Sequence, residues 1–131
     1  GWGSELTAEI DMFEASMERF IRLSKPDFIG KAASLRRQQQ GPRMKLATLK
    51  VANTESDCMG NEPVYQGDRR VGLTTSGGYG FAVKQSLAMA YLDPALIAPG
   101  TKLDVLVMGE RRAAEVIADS PWDGANLRLK A

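Results

Sequence analysis

The sequence predicts a mainly β fold: a small closed antiparallel barrel of about six strands, with one or two flanking helices at its N-terminal side. Two observations lead to this prediction. Apolar residues recur every three or four positions before Gly41 and every second position after it, a change from a helical to a strand period. Beyond Gly41, turn-forming pairs such as Gly67-Asp68 and Gly109-Glu110 separate short apolar runs, as expected for strands that close into a barrel.

The first 24 residues carry a helical pattern that stops early. Apolar residues are spaced three or four apart at Leu6, Ile10, Phe13, Met17 and Phe20. We expect a short helix that Asp11 caps and that carries Glu14 and Met17. The segment 20–23 then becomes extended, because β-branched and aromatic residues cluster there, and the Lys-Pro pair at 25–26 ends the run.

A second helix is predicted from Asp27 to about Gln40. Asp27 is a favourable N-cap residue, and Gly41, followed by proline, ends the helix. The apolar residues that this helix is expected to bury are Phe28, Ala32 and Leu35.

The remaining chain predicts strands joined by turns. In chain order the expected strands cover residues 43–51, 63–66, 71–75, 86–92, 101–108 and 112–118. A polar loop is expected at 53–57 and one helical turn at 95–97. The glycine-rich stretch 76–80 is interpreted as a barrel corner, where glycine allows a bend that a Cβ atom would block. Trp122 is expected to pack on the barrel wall, and Asp123 to start a turn.

Composition indicates one globular domain and argues against several kinds of partner. Of the 131 residues, 44% are hydrophobic and 25% charged, with 17 basic and 16 acidic residues and a net charge of +1. Such balanced charges provide no field that would attract nucleic acid or an anionic membrane. The arginine pairs at 36–37, 69–70 and 111–112 are interpreted as solvated charges. No apolar run reaches the roughly 18 residues of a membrane span.

The chain has no histidine and one cysteine, Cys58. This composition excludes several kinds of catalytic and metal-binding site. Without histidine, Ser-His-Asp and Cys-His catalysis are excluded and most zinc sites are disfavoured. A lone cysteine forms no intrachain disulfide, so we expect a reducing compartment: the cytoplasm, or the mitochondrial matrix in a eukaryote. The first residues lack signal-peptide character, and the missing initial methionine suggests that the chain was cut from something longer.

Three charged residues are candidates for ligand contact. Glu14 lies between Phe13 and Ala15 in a mostly apolar stretch, where a buried charge needs a partner or a ligand; an exposed helical glutamate is the ordinary alternative. Arg43 and Lys45 alternate onto one face of the first strand. Two cations on one face suit a polyanionic tail, and they suit solvent equally well.

A series of short motifs in fixed order carries a family resemblance. The motifs lie at 14–15 with 20–23, at 27–31 (Asp-Phe-Ile-Gly-Lys), at 41–49, at 60–63 (Gly-Asn-Glu-Pro), at 72–79 (Gly-Leu-Thr-Thr-Ser-Gly-Gly-Tyr) and at 84–88 (Lys-Gln-Ser-Leu-Ala). Together they resemble the C-terminal barrel of the glycine-cleavage T-protein (aminomethyltransferase) family, in particular the folate-binding half of dimethylglycine and sarcosine dehydrogenases. Ser16 departs from the pattern, since the family usually has glycine there.

The resemblance implies that residues 1–24 end a preceding folate-binding domain and that 25–131 form the barrel domain. It implies tetrahydrofolate as the cofactor of the complete protein, and it leaves open an FAD-containing domain upstream in the same polypeptide. Glu14 corresponds to the glutamate that accepts the pterin edge, and Arg43 or Lys45 to the basic folate contact. Tyr79 is expected to project into a cleft as a further contact. No catalytic or metal-binding residue is expected here, since the family's catalytic aspartate lies upstream.

Two hypotheses about function follow. In the first, the chain is the C-terminal part of an enzyme that passes a one-carbon unit from an N-methyl amine, such as dimethylglycine or sarcosine, to tetrahydrofolate. In the second, it is a non-catalytic barrel that serves as a structural or binding module. Relatives of that second kind usually carry a Lys-Gly-Cys-Tyr-x-Gly-Gln motif, which this sequence lacks. We therefore favour the first, and we expect the isolated chain to be inactive.

Overall fold

The computed structural model describes residues 1–52 and 55–131. Within these residues six strands form one closed antiparallel barrel, in the order β1-β4-β3-β2-β5-β6. The strands are β1 (Lys45–Val51), β2 (Pro63–Gln66), β3 (Arg69–Gly80), β4 (Gln85–Leu92), β5 (Lys102–Val107) and β6 (Glu110–Ile117). The predicted fold class is confirmed. Asn53 and Thr54 of the predicted polar loop lie outside the described residues.

The helices are few and short. They are α1 (Lys31–Gln40), α2 (Leu127–Lys130) and the 3-10 helices Glu18–Phe20 and Pro94–Leu96. The helical turn expected at 95–97 is therefore present, one residue earlier. In the described part of the chain, no helix is both long and apolar enough to cross a membrane.

Buried and more exposed side chains alternate along the strands. This alternation corresponds to the spacing of apolar residues at every second position in the sequence. On β1, Ala47, Leu49 and Val51 point into the barrel, and Leu49 is fully buried. Small residues stand beside large ones on the inner face, as where Leu49 pairs with Ala88 of β4. Burying a leucine side chain stabilises the folded state by about 1.5–3 kcal/mol, so this core is the main source of the barrel's stability.

The glycine-rich stretch 76–80 is part of a strand, and its interpretation as a corner is wrong. β3 continues to Gly80, and only its register shifts, between Thr74 and Ser76. Gly77 allows close packing instead of a bend: a Cβ atom there would lie 2.5 Å from the carbonyl oxygen of Cys58. The glycines therefore let a neighbouring loop lie directly against the strand.

The Gly-Asn-Glu-Pro motif at 60–63 holds the loop that contains Cys58 in place through hydrogen bonds. The Glu62 carboxylate accepts hydrogen bonds from the backbone N–H groups of Met59 (2.8 Å) and Gly60 (2.9 Å). The backbone N–H of Glu62 donates to the Thr74 hydroxyl at 2.9 Å. Two of the motifs that carry the family resemblance thus hold each other in place, and their role in this chain is structural.

The short helix predicted after Asp11 does not form. Asp11 does act as a cap, since its Oδ1 atom accepts from the N–H groups of Phe13 and Glu14, both at 2.9 Å. The chain then makes one turn and leaves the helical conformation at Ser16, whose φ is 57°. A left-handed residue ends a helix, which is why glycine is favoured at such a position.

Helix α1 is shorter and more exposed than predicted. It begins at Lys31 rather than after Asp27, because Gly30 has a φ of 92° and the residues before it form turns. None of its residues 31–40 is buried. Ala32 and Leu35 are exposed and Phe28 is only half-buried, so the expectation that they enter the core was wrong.

Residues 1–24, called the N-terminal segment below, lie against the outer wall of the barrel. The Tyr91 hydroxyl of β4 donates to the Glu5 carbonyl oxygen at 2.7 Å. On β1, Leu46 donates its N–H to the Glu14 carbonyl at 2.8 Å, and its own carbonyl accepts from the Ser16 hydroxyl at 3.1 Å. The domain boundary proposed at residue 24 stays a prediction.

Two predictions from the sequence, for Asp123 and Trp122, concern the end of the chain. The Asp123 carboxylate accepts from the N–H groups of Leu127 (2.8 Å) and Arg128 (3.2 Å), so Asp123 starts a turn as expected. Trp122 is half exposed, and the Arg128 guanidinium lies over its ring at 4.8 Å. The expectation that Trp122 packs on the barrel wall stays a prediction.

Candidate functional site

A fully buried carboxylate, Glu14, lies where the N-terminal segment meets the barrel. Its Oε1 atom accepts from Arg37 Nη2 at 2.9 Å and from Arg43 Nε at 2.8 Å. Its Oε2 atom accepts from the Asp11 N–H at 3.2 Å and from Arg43 Nη2 at 3.3 Å. Arg37 also pairs with the Asp11 carboxylate. We call Asp11, Glu14, Arg37 and Arg43 the Glu14 cluster.

Three separate parts of the chain build the Glu14 cluster. The cap made by Asp11 turns the Glu14 side chain inward. The last turn of α1 supplies Arg37, and Arg43 lies just before β1. The interpretation of Arg37 as solvated charge was wrong, since this side chain fixes an otherwise exposed helix to the N-terminal segment.

The electrostatics keep both carboxylates of the cluster ionised. The hydrogen bond from Arg43 outweighs the effect of burial and holds the pKa of Glu14 below its ordinary value. Burial alone would raise the pKa of Asp11, but the hydrogen bond from Arg37 and two backbone donors lower it. The neighbouring Glu14 carboxylate raises the pKa of Arg43. Two cations therefore balance two anions at neutral pH.

Lys45 forms a second ion pair with the N-terminal segment. Its Nζ atom lies 2.7 Å from Glu18 Oε1. Burial alone would raise the pKa of Glu18, but the hydrogen bond and the charge of Lys45, together with a backbone donor, lower it. The sequence left open whether Arg43 and Lys45 face a ligand or solvent; in the structure both pair with carboxylates of the N-terminal segment.

Tyr79 is far from these residues. It pairs with Ser86 near the start of β4, whereas Lys45 pairs with Leu92 at the end of that strand. The two sites are therefore roughly 20 Å apart, at about 3.3 Å per strand residue. Tyr79 packs edge-to-face against Phe81 with ring centroids 5.1 Å apart and lines a cleft of about 880 Å³. The structure thus does not bring the four predicted folate contacts together.

A second buried carboxylate, Glu5, was missed in the sequence. It accepts from the Thr75 hydroxyl at 2.9 Å, from the Ser76 hydroxyl and from the Gly1 ammonium group. Burial would raise its pKa, but these hydrogen bonds lower it to about 2. The register shift in β3 brings the two hydroxyls to one carboxylate oxygen. The adjacent hydroxyl residues in a strand are the signal that could have indicated this contact.

Among the described residues we also considered the thiol as a nucleophile and the acidic groups as metal ligands. Cys58 is fully buried, and burial raises its pKa to about 11, so it stays a protonated thiol at neutral pH. Over residues 1–52 and 55–131, no group of three or more His, Cys, Asp or Glu side chains could hold a metal ion.

Comparisons with known proteins agree with the fold. Residues 44–123 match the family described as "Glycine cleavage T-protein C-terminal barrel domain". A solved structure, the glycine cleavage system aminomethyltransferase T from Bartonella henselae, has a TM-score of 0.82 at 24% identity. That match covers 91% of this chain and 34% of the other, and at this identity it shows the fold.

Two relatives illustrate the sequence similarity. The chain is 37% identical over 119 residues to mitochondrial dimethylglycine dehydrogenase of Mus musculus, which covers 90% of the chain and 14% of that protein. It is 33% identical over 118 residues to aminomethyltransferase of Saccharopolyspora erythraea, which covers 89% of the chain and 32% of that protein. The chain spans only a small part of these relatives. It belongs to the family of glycine cleavage T-protein C-terminal barrel domains.

Proposed function

We propose that this barrel is the C-terminal part of a tetrahydrofolate-dependent enzyme that passes a one-carbon unit from an N-methyl amine to tetrahydrofolate. The observation that carries the proposal is the identity of 37% to a dimethylglycine dehydrogenase, which extends over 90% of the chain. The partners are the upstream folate-binding domain, and a flavin domain where one is attached. The expected compartment is the cytoplasm, or the mitochondrial matrix in a eukaryote.

The folate contacts proposed in this chain are Glu14, Arg43 and Lys45, with Tyr79 as a separate contact roughly 20 Å away at the other end of β4. A carboxylate can accept two hydrogen bonds from the pterin edge, because the 2-amino group and N3–H form a pair of donors. Two arginines already occupy the Glu14 oxygens, so the pterin must displace one of them. Arg43, whose side chain is 61% exposed, is the one free to move; Arg37 is also held by Asp11. Arg43 and Lys45 would then face the charged tail of the ligand.

A folate titration of the complete enzyme tests the role of Glu14. Glu14→Ala should weaken tetrahydrofolate binding by about 2–4 kcal/mol, because two buried donors lose a charged acceptor. Neutralising Arg43 or Lys45 should have a smaller effect that decreases with salt. The matched control is Asp11→Asn, which removes one partner of Arg37 from the same cluster and keeps the Glu14 carboxylate. A dissociation constant that Glu14→Ala leaves unchanged would make Glu14 a purely structural residue.

The alternative function is a structural or binding module without folate chemistry. The satisfied ion pairs of Glu14 favour it, since every polar contact of that carboxylate is internal. In both cases the isolated 131 residues should neither turn over a methylated amine nor bind tetrahydrofolate tightly, because the resemblance to the family implies that the catalytic aspartate belongs to a preceding domain. Micromolar folate binding by the isolated chain would contradict this expectation. The complete reading frame before Gly1 distinguishes the two functions by the presence or absence of a folate-binding domain.

A further inference from the structure

The Asp-Phe-Ile-Gly-Lys motif at 27–31 contributes little to the barrel core, although it is among the motifs that carry the family resemblance. The relative exposure of the Ile29 side chain is 105%, and Phe28 is only half-buried. Within the described residues, nothing therefore covers the aliphatic side chain of Ile29.

The turn that carries Ile29 is closed by hydrogen bonds. The Lys31 ammonium group donates to the carbonyl oxygen of Pro26 at 2.7 Å and to that of Lys25. Gly30 then has a left-handed φ of 92°, which leads the chain into α1. Because this turn is already ordered, a contact made by Ile29 loses little conformational entropy. The turn is consequently suited to hold Ile29 against another protein surface.

Further apolar surface is exposed on both sides of this turn along the chain. Phe20, in the 3-10 helix before it, and Leu35 of α1 are both exposed. Helix α1 buries none of its residues, and its last turn is fixed through the ion pairs of Arg37 with Asp11 and Glu14. Helices in proteins are stabilised mainly by tertiary packing. The described part of the chain thus leaves α1 without the cover that usually stabilises a helix.

The part of the polypeptide before Gly1 is the partner that fits this surface. The chain covers 14% of the mouse dimethylglycine dehydrogenase and 32% of the Saccharopolyspora erythraea aminomethyltransferase, so most of each relative lies outside the match. The matching family is a C-terminal domain. A domain joined through the N-terminal segment has a high effective concentration at the turn that follows this segment. A modest apolar contact is then sufficient, an advantage that a second copy of the chain does not have.

We propose that Ile29 anchors an apolar contact between this barrel domain and the folate-binding domain that precedes it, with Phe20, Phe28 and Leu35 beside it. The inference rests on the proposed function, since the preceding domain is part of that proposal. Its chemistry differs from that of the folate contacts, because Ile29 buries apolar surface against protein and binds no ligand. The contact at Ile29 and folate binding at Glu14 can therefore be measured separately.

Cysteine labelling of the complete protein tests this contact. Ile29→Cys is compared with the matched control Met108→Cys, whose native side chain is 87% exposed in the turn between β5 and β6. Cysteine is itself a small apolar side chain and preserves the character of the contact. Each variant is treated with a maleimide in native buffer and in urea, and mass spectrometry of the peptide that contains the new cysteine gives both rates. Their ratio corrects for the intrinsic reactivity of each thiol.

We expect folding of the complete protein to slow labelling at residue 29 at least about tenfold more than labelling at residue 108, because a docked side chain reacts only when the contact opens. Ile29→Ser should lower the unfolding midpoint of the complete protein, whereas Met108→Ser should leave it unchanged. Equal labelling ratios at the two positions would overturn the proposal. Protection that disappears on dilution, as light scattering shows a dimer dissociating, would also overturn it and would indicate a second copy.

The folate titration separates this contact from the proposed function. If Glu14→Ala weakens tetrahydrofolate binding as expected while residue 29 is freely labelled, the contact at Ile29 alone is wrong. If residue 29 is protected and Glu14→Ala leaves folate binding unchanged, the contact is supported and the role of Glu14 is wrong. A reading frame without a preceding domain would overturn both.

Discussion

In the barrel most of the side chains that face inward are apolar, and Leu49, Val64 and Val105 are completely buried. In the N-terminal segment the buried side chains include two carboxylates, Glu5 and Glu14. The barrel is therefore stabilised by removal of apolar surface from water, which has no preferred direction. The N-terminal segment also buries Phe13 and Ala15, but its two buried carboxylates are held by hydrogen bonds and ion pairs, which require particular partners at particular distances.

This difference has a consequence for function. A core of interdigitated apolar residues tolerates little movement, whereas an ion-pair cluster at a boundary can exchange one partner for a ligand group. The groups proposed to make such an exchange, Arg43 and Glu14, belong to the boundary rather than to the core. The barrel is accordingly the rigid support, and the N-terminal segment carries the adaptable contacts.

The largest expected effect comes from the barrel core. Leu49→Ala should lower the free energy of unfolding by about 2–5 kcal/mol, because it leaves a cavity in a packed interior. Leu73→Ala is the matched control: this leucine is also in a strand, but its side chain is 39% exposed. It should cost less than about 1 kcal/mol. Urea denaturation measures both, and equal losses would contradict the assignment of Leu49 to the core.

Acid should weaken the contacts of the N-terminal segment at a pH where the apolar core of the barrel is unaffected. The pKa of Glu5 is lowered from 4.5 to about 2, so its ionised form stabilises the folded state above pH 4.5, and this stabilisation is lost as the pH falls from about 4.5 to about 2. The lowered pKa values of Asp11 and Glu14 act in the same direction.

The expected loss from Glu5 is on the order of 3 kcal/mol, at about 1.4 kcal/mol per pKa unit. Urea unfolding at a series of pH values measures it. Glu5→Gln should flatten the pH profile in this window, because the group that titrates has been removed. Wild-type and variant profiles of equal slope would mean that Glu5 is not held in its ionised form.

These contrasts also explain what could be predicted from the sequence. The alternation of apolar residues predicts the strands of the barrel well, because core packing is the same for any apolar side chain of suitable size. It could not predict the Glu14 cluster, since Arg37 and Arg43 reach Glu14 only after the chain has folded. The prediction of a helix after Asp11 was wrong, because the spacing of apolar residues gives no information about the left-handed conformation of Ser16.

The smallest expected effect concerns Ser16 itself. Ser16→Ala keeps the left-handed strain and loses the hydrogen bond to the Leu46 carbonyl, so it should destabilise the protein by about 1 kcal/mol. Ser16→Gly loses the same hydrogen bond but removes the strain, which is about 1 kcal/mol for a residue other than glycine. The glycine variant should therefore unfold at a higher urea concentration than the alanine variant. The reverse order would contradict the left-handed conformation.

Hydrogen exchange of the chain at pH 7, followed by mass spectrometry, tests the separation of the two regions most directly. Glu14→Gln keeps the shape of the side chain and removes the charge that Arg37 and Arg43 bind. We predict faster exchange in peptides that cover residues 11–17 and at Leu46, whose N–H donates to the Glu14 carbonyl, while the rest of β1 to β6 keeps wild-type rates. Leu49→Ala should accelerate exchange in both regions. If Glu14→Gln accelerated exchange in the strands as much as in residues 11–17, or in neither, the account of an ion-paired segment on an independently stable barrel would be wrong.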